Sequence, residues 1–420
     1  MILRSLELRN FRGFRDIEID FDKQLTVLVG TNGAGKTTVL DALAMLLDQY
    51  AARLLASRAT ARRLTEGDTT NGAPETRIRL TVDGDRGQIR WSLRKQGTQQ
   101  KVLHPVNSEL GNLNDLIRSI AGSSVGGEGF LTGATLPIYY DQRRALVDVP
   151  QRKRSAAKHS AKDAFAESRG RAGLDFRGFV YWFEERESEE LRHQRRDRNY
   201  EDPQLATVRR AIADATGLTD LTYRSIPPRG LLIHKGGLEL RVDQLSTGER
   251  VFLAMAGDLA RRLAMLSDVA LDARFSRAIV LIDEVELHLH PRWQRSILPW
   301  MLRAFPNCQF VVTTHSPQVI GEIEASHIRI LEYDPGGNRI GTVDASFGRD
   351  SNFLLLSVFD ADERRAPTKK ALENFERVLN RNDLANARRE LEKLEQQIEG
   401  SAPELAIAQA RYDRRARAKP

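Results

Sequence analysis

One cysteine, Cys308, stands among 420 residues, so no intramolecular disulfide and no cysteine-cluster metal site can form, and a reducing compartment is the expected setting. Long apolar runs are missing as well. Nowhere does the chain approach the roughly 18 consecutive apolar residues that a membrane-spanning helix needs. The stretch Met1 to Arg9 alternates apolar and charged side chains, the pattern of a half-buried strand and not of a secretory leader. These absences lead us to expect a cytoplasmic protein with no membrane partner. Sustained heptads and internal repeats are also lacking, which excludes long coiled-coil arms. What remains is a globular mix: 41% hydrophobic residues, 30 glycines, and 64 Lys and Arg against 57 Asp and Glu, for a net charge of +7. The excess is small but locally concentrated. Between Gln151 and Gly173 lie Arg152, Lys153, Arg154, Lys158, Lys162, Arg169 and Arg171, opposed only by Asp163 and Glu167. That composition suggests a solvated, mobile insert and a place for nucleic acid to bind.

Periodicity organises the rest. Ile2 to Leu8 and Ile17 to Phe21 alternate as two strands around the turn Asn10 to Phe14, so a hairpin opens the chain. Gln24 to Val29 is a β-rich run ending at Gly30, and Thr37 to Leu47 has helical spacing. Thr76 to Leu93 reads as another hairpin, and Leu136 to Tyr140 as a buried strand. Phe176 to Leu191 and Gln204 to Ala215 read as a helical lobe, in which Tyr181-Trp182-Phe183, with Phe176, Phe179 and Phe183 at helical spacing, reads as core and not as a base-stacking patch. Ala278 to Ile282 and Gln309 to Thr313 are continuous apolar strands of the kind buried in a parallel sheet, with helices at Gly248 to Leu266 and Pro291 to Ala304. From Thr368 onward only helices are expected, split near Asn380 to Asp383 and Gly400 to Pro403.

The chemistry starts at Gly30, where the sequence through Thr38 fits G-x-x-x-x-G-K-[ST] with a strand before it and a helix after it. Gly30, Gly33 and Gly35 let backbone N–H groups face phosphate oxygens, and Asn32, Ala34 and Thr38 complete the cradle. Lys36 supplies a point charge to the β/γ-phosphates, and Thr37 offers its hydroxyl to Mg²⁺ at a helix N-terminus. ATP and Mg²⁺ are the expected cofactors. Asp283 and Glu284 follow the apolar strand Ala278 to Ile282, the position where α/β sheets keep their ligands. Asp283 is expected on the metal and Glu284 as the base toward the attacking water. His315, in Thr314-His-Ser316 after the next strand, is expected near the γ-phosphate. Ser246 with Glu249 forms a capping box that explains itself locally, yet Ser246 and Gly248 at a helix N-terminus also make a second anion site. His288 and His290 are two apart and diverge, so a metal role is rejected for them. Arg12 could approach the nucleotide or the partner chain, but an exposed turn arginine is the commoner case.

These motifs, in this order, resemble the ABC-type ATPase head of the RecF, SMC and OLD-like branch, and Leu8 to Phe14 is similar to that branch's first hairpin. The stretches Asp283 to Gln294, Pro306 to Pro317 and Ser346 to Asn352 with Glu363 and Arg364 resemble the PtuA-like ATPases of Septu and retron antiphage systems. The resemblance implies an α/β P-loop NTPase head with a mixed sheet. Residues 1–55 and 231–365 would form the head, 56–230 strands plus an inserted basic and helical lobe, and 366–420 a C-terminal helical hairpin. It also implies a homodimer or higher even oligomer closed head to tail by ATP. Each site would join Lys36, Thr37, Asp283, Glu284 and His315 of one chain to Ser246, Gly248 and Glu249 of the other, with His288 and His290 at the seam. The branch places a glutamine on Mg²⁺ and the attacking water, and Gln142 is the candidate, against an ordinary surface residue. The tail either caps its own domain or docks a separate HNH-type nuclease. After His315 no clustered acidic triad appears, so no intrinsic nuclease is expected. Two other functions compete: a RecF-like repair ATPase that binds DNA through the insert, and a nucleotide-gated module with negligible turnover, which Glu284 disfavours.

Overall fold

The computed structural model describes residues 1–56, 61–85, 87–97, 107–122, 131–142, 160–169, 174–267, 273–334, 337–359, 366–398 and 402–417. They form two compact units, Met1–Leu354 and Leu355–Pro420.

The opening hairpin is β1 (Ile2–Phe11) with β2 (Phe14–Asp20), turned by Asn10 and Arg12, each at φ 50°. Leu6, Leu8, Ile17 and Ile19 fall on the buried face, as the period of two requires. A second hairpin, β4 (Glu75–Gly84) with β5 (Gly87–Gln96), pairs through β4 with β1, which makes one antiparallel sheet ordered β2-β1-β4-β5.

A six-stranded sheet, ordered β13-β12-β3-β11-β10-β6, forms the centre of the first unit. Its parallel members are β3 (Leu25–Val29), β6 (Leu136–Tyr140), β10 (Ala278–Ile282), β11 (Cys308–Thr313) and β12 (Ile328–Asp334). β13 (Gly337–Gly341) returns antiparallel beside β12, so the sheet is mixed. Every residue of β3, β6, β10 and β11 is buried, which explains why these strands are mostly apolar and do not alternate, with Thr26, Gln309 and Thr313 as their buried polar members. α1 (Lys36–Leu54) leaves the glycine loop and packs on β6, β10 and β11. α2 (Gly111–Gly122) lies against β5 and buries Leu113 and Leu116.

The basic stretch departs from expectation. Within it, α3 (Ala161–Ser168) is capped by Ser160 and buries Ala164 and Phe165 completely. Arg169 bonds Asp48 at 3.0 Å and Glu167 bonds Arg261 at 2.7 Å, so this part is packed core, not a solvated insert. Two apolar side chains and two ion pairs outweigh its charge. Residues 151–159 and 170–173 lie outside the described residues.

α4 (Phe176–Gln194) and α5 (Pro203–Thr216) are capped by Asp175 and Asp202. A small sheet, β7 (Thr219–Arg224), β8 (Gly230–Lys235) and β9 (Leu238–Arg241), follows them. α6 (Thr247–Leu266) is buried along nearly its whole length, and at Gly257 it admits the Phe179 ring to within 2.8 Å of where a Cβ would stand. Its interior carries charge. Asp258, Arg261 and Arg262 are all buried, Tyr140 donates its hydroxyl to Asp258 at 3.0 Å, and Arg262 bonds the same carboxylate at 2.7 Å. Burial alone would raise the Asp258 pKa, but the two arginines hold it below the usual value. α7 (Pro291–Ala304) and the short α8 (Pro317–Ile320) complete the head, and α9 (Ser351–Phe359) runs into the second unit.

The second unit holds α10 (Ala366–Asn380), α11 (Leu384–Gln397) and α12 (Pro403–Arg417) around a core of its own that includes Phe375, Leu379, Ala387, Leu391 and Leu394. Among the described residues no helix is long and apolar enough to cross a membrane.

Candidate active site at the strand ends

β3, β10, β11 and β6 end side by side, so their following residues converge. After β3, Gly30, Gly33 and Gly35 have φ of 147°, 84° and 97°, which L side chains rarely adopt. Two of these glycines are also held closely. A Cβ on Gly30 would stand 2.4 Å from the Leu331 carbonyl oxygen, and one on Gly35 would stand 2.4 Å from the Phe14 ring. Asn32 and Gly33 are exposed at the loop's tip, Ala34 is buried beneath it, and Thr37 and Thr38 begin α1.

Lys36 is buried and donates from Nζ to the carbonyls of Gly30 (2.9 Å) and Thr31 (3.0 Å). Burial lowers its pKa, against the pull of Asp283, Glu284 and Glu286. Thr37 Oγ1 donates to Asp283 Oδ2 at 2.9 Å, which joins the glycine loop to the end of β10. The other oxygen of Asp283 accepts from Thr313 Oγ1 at 2.6 Å, and Thr313 Oγ1 in turn accepts from the Glu284 N–H at 2.7 Å. Glu284 sits at φ 48° with its side chain half-buried. Gln142, two residues beyond β6, donates from Nε2 to Glu284 Oε1 at 3.2 Å. One small region thus holds Lys36, Thr37, Asp283, Glu284 and Gln142.

His315 follows β11, and the turn that carries it is clamped by a residue that pattern reading assigned no role. Glu286 accepts from Thr314 Oγ1 at 2.7 Å with one oxygen and from the His315 N–H at 2.6 Å with the other. Burial and then Lys36 lower the His315 pKa, against Glu286, Glu284 and Asp283. Thr313 and Glu286 are the two site residues the sequence reading missed. The available signal was hydroxyl and carboxyl groups directly flanking the chosen motifs.

Ser246, Gly248 and Glu249 form a second cluster with other partners. The Glu249 carboxylate accepts from Ser246 N–H (3.0 Å) and Oγ (2.8 Å) and pairs with Lys235 of β8. Burial opposes its ionisation, but Lys235 and Ser246 hold its pKa low. A Cβ on Gly248 would stand 2.7 Å from the His288 carbonyl, so the start of α6 rests on the segment that follows Glu284. His288 has φ 64°, and His290 Nδ1 accepts from the Arg292 N–H at 3.3 Å to cap α7. Among the described residues no group of three His, Cys, Asp or Glu is placed to hold a metal. Arg12 is not the exposed residue expected. It bonds Asp41 at 2.7 Å and Asp68 at 3.0 Å and fastens the opening hairpin to α1.

A family profile described as an AAA domain matches residues 5–213, and a second, described as an AAA domain, putative AbiEii toxin, Type IV TA system, matches 134–321. The chain is 26% identical over 436 residues to the Retron Ec83 probable ATPase of Escherichia coli, across 89% of this chain and 79% of that protein. It is 22% identical over 398 residues to the Septu protein PtuA of Bacillus thuringiensis, across 90% and 89%. The crystal structure of an Smc head bound to the C-winged helix domain of ScpA shares the fold with a TM-score of 0.50 at 15% identity, over 82% of this chain and 98% of that one. These likenesses support the resemblance to the ABC-type ATPases of the RecF, SMC and OLD-like branch. In that branch's terms, Gly30 to Thr38 would be the Walker A loop, Asp283 and Glu284 would follow the Walker B strand, and Ser246 would open the signature helix. The α/β head with a mixed sheet is the fold expected for such an ATPase.

Proposed function

We propose that this chain is an ATP-hydrolysing subunit of an antiphage defence complex. Its heads would close head to tail on two ATP molecules and control a separate HNH-type nuclease. The observation that carries the hydrolytic part is the chain of bonds from Thr37 through Asp283 and Thr313 to Glu284, with Gln142 on the Glu284 carboxylate. The defence part rests on the names of the retron and Septu relatives.

The residues suit the groups they would hold. Thr37 and Asp283 present hard oxygen donors side by side, as Mg²⁺ prefers, and Gln142 adds an amide oxygen beside Glu284. Mg²⁺, when bound, neutralises charge on the β- and γ-phosphates. Lys36 adds the fixed positive charge, and the glycine loop directs N–H groups at the phosphates. Glu284 orients and deprotonates the attacking water as the γ-phosphoryl group leaves for it, with Gln142 holding the carboxylate in place. His315, kept neutral by burial and Lys36, remains a hydrogen-bond donor toward the γ-phosphate at neutral pH. Ser246 and Gly248 of one chain complete the site of the other.

Native mass spectrometry of Glu284→Gln with ATP and Mg²⁺ tests the reading. Blocked hydrolysis should trap a dimer or its multiple with one ATP per chain, carrying a small nuclease when purified from the natural host. A monomer under these conditions would end the sandwich proposal, and an undiminished rate of hydrolysis would remove Glu284 as the base.

A further inference from the structure

A cavity of the head lies away from the Walker A loop, at the opposite end of α1, bordered by the last turns of α1, the end of β5 and α2. It measures about 840 Å³, within the range of small-molecule sites. α1 has 19 residues, so about 28 Å of helix separates this cavity from Lys36.

Its lining is cationic. Arg53, Arg63, Arg94, Lys95 and Arg118 border it, and among the described residues no carboxylate does. Two of these have acidic partners beside the cavity: Arg94 bonds Glu109 at 2.6 Å, and Arg118 bonds Asp115 at 3.3 Å. Among the described residues no ion pair takes up the charges of Arg53, Arg63 and Lys95, although Lys95 also borders a neighbouring pocket with Glu66. Arg53 is fixed by neutral acceptors only, donating from Nε to Asn114 Oδ1 at 3.1 Å and from NH1 to Gln49 Oε1 at 2.8 Å. A guanidinium held in place without a counter-charge is preorganised for an anion. Burial depresses the Arg53 pKa, a cost that a bound anion would offset. Asn107 and Ser108 bring backbone from just before the N-terminus of α2. The remaining wall is aliphatic, formed by Leu64, Leu93, Leu110 and Ile117, and among the described residues no aromatic ring lines it for stacking a base.

We propose that this cavity is a second anion site that takes a nucleoside polyphosphate, with its phosphates on Arg53, Arg63 and Lys95 and its nucleoside on the aliphatic wall. The three cations match the charge of a di- or triphosphate, and the volume exceeds what a lone phosphate needs. Because recognition falls on the phosphates, with no ring or carboxylate to read a base edge, any nucleoside triphosphate is an adequate probe. A continuous nucleic acid strand is less well matched, since the wall offers it no stacking platform.

Equilibrium dialysis of the full chain with ATPγS and Mg²⁺ tests this. The wild type should bind two equivalents and Lys36→Ala one, the remaining equivalent being the one in the cavity. Adding Arg53→Gln and Lys95→Gln to Lys36→Ala should weaken that equivalent at least about tenfold, since hydrogen bonds to charged groups are worth ~1.5–3 kcal/mol each. If Arg53→Gln unfolds the chain by circular dichroism, Arg63→Gln with Lys95→Gln makes the same comparison with the exposed Arg63 in place of Arg53. One equivalent in the wild type, or a second equivalent indifferent to these cations, would overturn the proposal. So would binding of a 20-nucleotide single strand through these cations without any second nucleotide. Failure of the Walker A reading is distinct, because it would leave the Lys36→Ala stoichiometry equal to that of the wild type.

Discussion

Glu286 offers the most demanding test of how the site works. Its carboxylate accepts two short hydrogen bonds from the turn that carries His315, at 2.7 and 2.6 Å, and is only half-buried. Bonds to a charged acceptor contribute ~1.5–3 kcal/mol each when buried, and partial exposure brings the pair to about 2–3 kcal/mol together. Glu286→Ala removes both, frees the His315 backbone, and should lower kcat for ATP hydrolysis by about 30- to 160-fold, at 1.36 kcal/mol per tenfold. Glu286→Gln keeps more. Its amide oxygen still accepts from the His315 N–H and its NH₂ can donate to the Thr314 hydroxyl, so a loss of about tenfold or less is expected. KM for ATP should stay within about threefold in both, because Lys36 and the glycine loop keep their own contacts. Steady-state phosphate release across ATP concentrations separates the two constants, and circular dichroism confirms folding. A folded Glu286→Ala protein with wild-type kcat, or one whose whole loss appears in KM, would refute the argument that Glu286 positions His315.

Further outcomes follow from the same geometry. Gly35→Ala forces a left-handed backbone on alanine and drives its Cβ toward the Phe14 ring, so the head should lose about 2 kcal/mol or more of stability, read as a lower thermal midpoint. An unchanged midpoint would mean that the loop does not hold this conformation. His315 should titrate below its ordinary 6.5 in an NMR experiment without nucleotide, and Lys36→Met should move it upward, because a repelling cation goes while Glu286, Glu284 and Asp283 stay. The sign for stability follows: the unfolded chain takes the proton first, so stability falls as pH drops below 6.5. A His315 pKa that Lys36→Met leaves unmoved would break the assigned coupling. Ending the chain before Ala366 should leave a folded head with ATP-dependent self-association and no nuclease capture, since α10 to α12 have a core of their own. An unfolded truncated head would sink the idea of a separate docking unit.

The Walker A loop was legible because three glycines at fixed spacing suit a backbone that needs positive φ and close approach. The buried strands were legible as well, since burial on both faces forces continuous apolar runs. Pairing between the two hairpins was not, because β1 meets β4 across residues whose local pattern says nothing about register. α3 was obscured by its charge: Ala164 and Phe165 decide its placement, and two residues make no periodic signal. Arg12 and Glu286 were misread or missed for a related reason, as each depends on partners far along the chain, Asp41 and Asp68 for one and Thr314 with His315 for the other.

The charged interior of α6 restricts how this protein can diverge. Asp258, Arg261 and Arg262 are sealed from water together with Tyr140, and Glu167 supplies the second acid. Losing one partner strands a buried charge at about 3–5 kcal/mol, whereas replacing the set with apolar residues of similar volume costs little. A descendant that abandons Asp258 must therefore abandon Arg262 as well, and positions on β6, α3 and α6 are expected to change as a group. Tyr140 lies two residues before Gln142, and the same helix begins at Ser246, so this inheritance unit spans the strand that leads to one proposed site and the helix that opens toward another.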